Sequence, residues 1–76
     1  MSNHIIMLAQ ELGNQIKRRR DMLHITQPDL AELADINVNT LYRIETGKAN
    51  PTLKVLHKLA EVLGMEIKLE VKKPNL

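Results

Sequence analysis

The sequence predicts a small, mostly helical domain of four helices closed by a single β-strand, and three observations predict it. Apolar residues recur at three- and four-residue steps through most of the chain, the spacing of one helix face. Capping residues and glycines fall between those stretches, at Thr26, Asn37, Gly47, Thr52 and Gly64. Beyond Gly64 the period drops to two: Met65, Ile67, Leu69 and Val71 alternate with Glu66, Lys68, Glu70 and Lys72.

The first helix is expected from Ile5 to Leu23, with Ile5, Leu8, Leu12, Ile16 and Leu23 on one stripe and Arg20 filling a one-turn gap. Thr26 caps the second. Pro28 falls in its first turn, where the missing N–H costs little, and Asp29 sits favourably against the helix dipole. Leu30, Leu33 and Ala34 are expected to face inward, and the helix must end between Asp35 and Asn37, where the next cap stands. The third helix runs from Val38 to about Thr46, with Leu41 and Ile44 on its buried side and Gly47 as its stop. Residues 48–51 read as a loop. Thr52 caps a fourth helix, whose stripe is Leu53, Leu56, Leu59, Ala60 and Leu63 and which Gly64 ends. The three glycines read as helix punctuation, and there is no internal repeat.

A lone strand leaves backbone donors and acceptors unpaired along both edges. The alternating segment therefore predicts a second strand, and the simplest source is another copy of the chain. Met65, Ile67, Leu69 and Val71 would form the apolar face of a two-fold antiparallel ribbon closing over the helices, with the Glu and Lys face in water. The alternative is that Glu66 to Lys72 extends the fourth helix or frays. Residues 65–72 are thus read as a dimerisation strand and residues 73–76 as a flexible tail.

Composition narrows the function classes. A chain of 76 residues is one domain. It buries only about 60% of the surface its unfolded form exposes, so a partner chain would help its marginal core. No Cys is present, which excludes a disulfide framework, a thiolate metal site and a cysteine nucleophile. The start Met-Ser-Asn-His is not a signal peptide, and no apolar run approaches the ~20 residues of a bilayer span, so a cytoplasmic location and no membrane partner are expected. His4, His24 and His57 lack ligand spacing and no Gly-rich phosphate loop occurs; no enzyme, cofactor or metal is expected. The net charge is only +2, but Lys17, Arg18, Arg19 and Arg20 cluster late in the first helix, and Arg43, Lys48 and Lys54 surround the third.

Two short helices joined by a tight turn across Thr26 to Gly47 are the layout of a DNA-reading helix-turn-helix, which makes residues 1–64 the DNA-binding domain. In such a layout Val38, Asn39 and Thr40 open the reading helix. Asn39 can both donate to and accept from an adenine edge. Arg43 can fork onto guanine O6 and N7 or settle on a phosphate, and the spacing does not choose between them. Val38 would meet a thymine methyl or pack against the second helix. Gln27 and Thr40 suit phosphate oxygens, Lys48 and Lys54 would raise affinity without reading sequence, and Tyr42 can hydrogen-bond the DNA backbone or cover the helix surface. Arg20 points partly inward and needs an opposing charge, for which Glu45 is the expected partner. That pair would tie the first helix to the third, so Arg20→Ala should loosen the fold.

Thr26-Gln27, Leu30-Ala31, Leu33-Ala34, Leu41, Ile44-Glu45, Gly47, Pro51-Thr52-Leu53, Leu56 and Leu59-Ala60 together resemble the Cro/C1-type (XRE) repressor family over roughly residues 16–64. The resemblance implies a four- to five-helix lambda-repressor-like domain binding double-stranded DNA at a palindromic operator. It places Gln27, Asn37, Val38, Asn39, Thr40 and Arg43 at DNA-facing positions and Arg20 with Glu45 at an ion-pair position. Asp35, where a small residue or Gly is usual, and Pro28 depart from the pattern. The Gly-Met-Glu-Ile-Lys-Leu-Glu-Val segment further resembles HipB-like antitoxins. Those dimerise through a two-stranded lid, repress their own operon and bind a HipA-type kinase toxin. A stand-alone repressor without a toxin, and an interaction module whose main role is toxin neutralisation, are the alternatives.

Overall fold

The computed structural model describes residues 3–73 and contains four helices: α1 (Asn3–Met22), α2 (Gln27–Leu33), α3 (Val38–Glu45) and α4 (Leu53–Leu63). Each of the three predicted caps holds the start of its helix. Thr26 Oγ1 accepts from the Asp29 N–H at 3.2 Å, Asn37 Oδ1 from the Asn39 N–H at 2.7 Å, and Thr52 Oγ1 from the Val55 N–H at 3.2 Å.

The helix ends share one device. After α1, α2 and α3, a residue in the left-handed region is followed by an N–H that reaches back five positions: Ile25 to the Arg20 carbonyl, Ile36 to Ala31 and Lys48 to Arg43. The left-handed residues are His24 (φ 57°), Asp35 (φ 54°) and Gly47 (φ 73°). At the end of α4, Gly64 (φ 67°) plays this part and the Met65 N–H reaches the Ala60 carbonyl. Two of these stops were visible as glycines. The other two carry side chains, which is why the end of α1 gave no local sign.

Leu30, Leu41, Ile44, Leu59 and Leu63 are fully buried and form the core with Ile16, Ala31 and Ala34. Each such leucine or isoleucine stabilises the fold by roughly 1.5–3 kcal/mol. Three details of the expected stripes are corrected. On α1 the buried line is Ala9, Gly13, Ile16 and Arg20, whereas Ile5, Leu8 and Leu23 are exposed. On α2 the buried arc holds Leu30, Ala31 and Ala34, so Leu33 lies about 100° from its centre and is 65% exposed. Leu53, in the first turn of α4, lies outside the core and is 70% exposed.

Gly13 is not punctuation. It sits mid-helix in α1, buried where α1 crosses the end of α3, and a Cβ there would collide with the Ile44 carbonyl oxygen and come within 3.0 Å of that of Glu45.

No strand forms among the described residues, because a ladder needs a second strand and one chain supplies only one. Residues 65–73 run on from Gly64 without regular structure, which also overturns a continuation of α4. Of the expected tail, residues 74–76 lie outside the described residues.

Candidate nucleic-acid interface

The turn between α2 and α3 is built from four residues, Ala34 to Asn37. The Asp35 N–H donates to the Glu32 carbonyl at 3.1 Å and the Ile36 N–H to the Ala31 carbonyl at 2.9 Å, while half-buried Ile36 packs on the core. Asp35 must be left-handed for the chain to reverse here, which costs a β-branched residue about 1–2 kcal/mol but is accessible to Asp, Asn and Gly. Asp35→Val is therefore expected to lower the urea midpoint by that equivalent and Asp35→Asn to leave it close to the parent.

α3 presents two contrasting sides. Leu41, Ile44 and Glu45 are buried, whereas Val38, Asn39, Thr40, Tyr42 and Arg43 are exposed. Asn37 is committed to the cap through its side-chain carbonyl. At the other end of the helix an Arg43 terminal nitrogen donates to the Lys48 carbonyl at 3.2 Å, and Lys48 Nζ stands 5.8 Å from the centre of the Tyr42 ring. The structure thus gathers Tyr42, Arg43 and Lys48 at the end of α3 and keeps Val38, Asn39 and Thr40 together at its start. Lys54 is exposed in the first turn of α4, beside Leu53, His57 and Ile67.

Beneath this surface lies a buried polar cluster. Glu45 is 4% exposed and Arg20 is 8% exposed. Arg20 Nε donates to Glu45 Oε2 at 2.7 Å and a terminal nitrogen to Oε1 at 2.9 Å, a two-pronged pairing of the strongest kind. The other terminal nitrogen donates to the Ile25 carbonyl at 2.9 Å. The hydrogen bond to the Glu45 carboxylate holds the Arg20 guanidinium above its ordinary pKa, against the desolvation that burial imposes. Gln27 Nε2 also donates to Glu45 Oε1, at 2.9 Å. One carboxylate therefore joins α1, α2 and α3. Gln27, read from the sequence as a phosphate contact, is half-buried and already carries this bond.

The basic run on α1 divides. Arg19 Nε donates to the Leu63 carbonyl at 2.8 Å and so caps the end of α4, a role that no spacing signalled. Arg20 serves the buried cluster, and Lys17 and Arg18 remain exposed. Among the described residues, no buried side-chain nitrogen or oxygen lacks a hydrogen bond, no group of three or more His, Asp or Glu could hold a metal, and no helix is long and apolar enough to cross a membrane.

Comparison with known proteins agrees with this geometry. The helix-turn-helix family profile matches residues 16–69, more than half of the chain. An uncharacterized HTH-type transcriptional regulator of Methanocaldococcus jannaschii is 36% identical over 56 residues, which span 74% of this chain and 85% of that one. A second, of Archaeoglobus fulgidus, is 35% identical over 56 residues (74% of this chain, 79% of the relative). A third, of Methanothermobacter thermautotrophicus, is 35% identical over 51 residues (67% and 74%). With its paired helices, their reversing turn and the exposed outer side of the second, the chain belongs to the Cro/C1-type (XRE) helix-turn-helix family of transcriptional regulators.

Proposed function

We propose that the protein is a sequence-specific repressor that binds a palindromic operator as a homodimer, each copy laying α3 in the major groove. The observation that carries this reading is the exposed side formed by Val38, Asn39, Thr40, Tyr42 and Arg43 on a helix whose opposite side is locked by Leu41, Ile44 and the Arg20–Glu45 pair. Such rigidity lets a few side chains meet base edges in register. Asn39 takes the adenine-reading role, Val38 lies against a thymine methyl, and Asn37, Thr40, Gln27, Tyr42 and Lys48 serve the phosphate backbone. Arg43 lies one turn beyond Asn39, in reach of either a guanine or a phosphate. A two-fold dimer would place the two α3 helices in successive major grooves, about 34–36 Å apart.

Selection of bound duplexes from a random library, with binding followed as salt is raised, tests this reading. An enriched inverted repeat with steep salt dependence is the expected result, and weak binding to every sequence alike would overturn it. On the selected site, Asn39→Ala should cost about 1–3 kcal/mol of discrimination and relax preference at its base pair. Arg43→Ala should do the same if it reads a guanine. Lys48→Ala should weaken specific and random DNA equally. Equal losses on both DNAs for all three variants would contradict these roles.

A second reading, that of a HipB-like antitoxin, is favoured by the alternating segment 65–72. It predicts that the chain holds a HipA-type kinase inactive. Kinase activity unchanged by a molar excess of the protein would leave the stand-alone repressor.

A further inference from the structure

The charges after Gly64 occur in the order Glu66, Lys68, Glu70, Lys72. We propose that this segment pairs with the same segment of a second copy in one antiparallel register, centred on Leu69, and that the order of charges selects that register. The proposal rests on the homodimer reading above and goes further by naming the contacts.

In an antiparallel pair, residues directly opposite each other lie on the same face of the ribbon. Centring the pair on Leu69 sets Glu66 against the partner's Lys72 and Lys68 against the partner's Glu70, with the same two pairs repeated across the axis. All four pairs are of opposite sign. Centring on Lys68 or Glu70 sets like charges against each other. Centring between two residues sets charged side chains against apolar ones. Ile67 and Val71 as centres each allow only two attractive pairs and leave half of the segment overhanging. A segment with this charge order is complementary to itself, so the occupant it fits is another copy of this chain.

The structure supplies three supporting observations. Lys68 Nζ lies 3.5 Å from Glu66 Oε1 and 3.1 Å from Glu70 Oε1, so the three charges already share one side of the segment. Met65 packs on the core, and Ile67 and Leu69 border an apolar groove with Leu8, Leu12, Leu56 and Leu63. Among the described residues no backbone-to-backbone hydrogen bond involves residues 66–73, and Leu69 and Val71 are 101% and 96% exposed. In the Leu69 register those two side chains gain cover, Leu69 from its own copy on the axis and Val71 from the partner's Ile67. A two-stranded ribbon alone is marginal in water, and the groove beside it on each protomer provides the further apolar burial it needs.

Sedimentation equilibrium of the full chain at low salt tests the register. Lys68→Glu and Glu70→Lys each create two repulsive pairs per homodimer, and each is expected to weaken self-association on the order of tenfold. Mixing the two variants restores every cross-chain pair between positions 68 and 70, so the mixture should form heterodimers in preference to either homodimer. Leu69→Cys, in a chain without cysteine, should form a disulfide-linked dimer readily, and Ile67→Cys should not. A parent chain that stays monomeric at millimolar concentration would overturn the homodimer itself. A parent dimer whose affinity neither charge variant changes would overturn the register alone. Weakening by Lys68→Glu only, or by Glu70→Lys only, would overturn it in favour of a centre at Ile67 or Val71 respectively.

Discussion

Replacing Gly13 by alanine is expected to destabilise the protein, although helix propensity alone would predict a gain of about 1 kcal/mol for the same change. The opposing effect is steric. The new Cβ would run into the Ile44 carbonyl oxygen and crowd the carbonyl of Glu45 at 3.0 Å, and both obstacles are backbone. No rotamer change can relieve the collision, so α1 must move away from α3, which disturbs the buried line from Ala9 to Arg20. Overpacking of this kind costs about 1–3 kcal/mol, and a backbone obstacle places Gly13→Ala at the upper end. For a domain of this size the melting temperature should fall by roughly 10–20 °C. A variant that melted above the parent would show that α1 does not approach α3 this closely. DNA affinity should fall with stability, because the α1 crossing supports the end of the helix that carries Arg43.

The second large effect is expected at Arg20. Arg20→Ala removes both prongs from the Glu45 carboxylate and leaves a charge that is 4% exposed with only the Gln27 amide to face it. Breaking one partner of a buried pair costs about 3–5 kcal/mol, whereas replacing both with apolar residues of similar size is often neutral. Urea denaturation should therefore show Arg20→Ala severely destabilised and the double variant Arg20→Met/Glu45→Leu recovering most of the loss. An Arg20→Ala variant that unfolded like the parent would refute the structural role of the pair. The pH dependence follows from the sign of the shift. The folded-state pKa of Arg20 is raised, so its contribution is complete below the ordinary arginine range and is lost only as pH climbs through the raised value. Stability held by this pair should thus show no arginine-linked decline anywhere near neutrality.

Thr26, Asn37 and Thr52 were readable as caps because a side chain two or three residues from the N–H it accepts needs no tertiary partner. Arg20 and Glu45 were readable as a pair because a charge on an apolar stripe demands an opposite one. Leu33 was misread because seven residues are too few to locate the centre of a buried arc. The bond of Gln27 to Glu45 was not legible. The position of Gln27 at the start of α2 suggested a phosphate, and only the packing of α3 brings the Glu45 carboxylate within reach of its amide.

By itself, then, the sequence determined the four helices, the caps of three of them, two of their four stops and the solvent-facing side of α3, since all of these depend on interactions within about five positions along the chain. Only the tertiary structure decided that Gly13 marks a helix crossing, that Arg19 closes α4, that one carboxylate serves three helices, and that Leu33 and Leu53 face solvent. Those outcomes depend on which helix lies against which and at what distance. Local periodicity carries no record of that, because the same apolar stripe can pack against any neighbour.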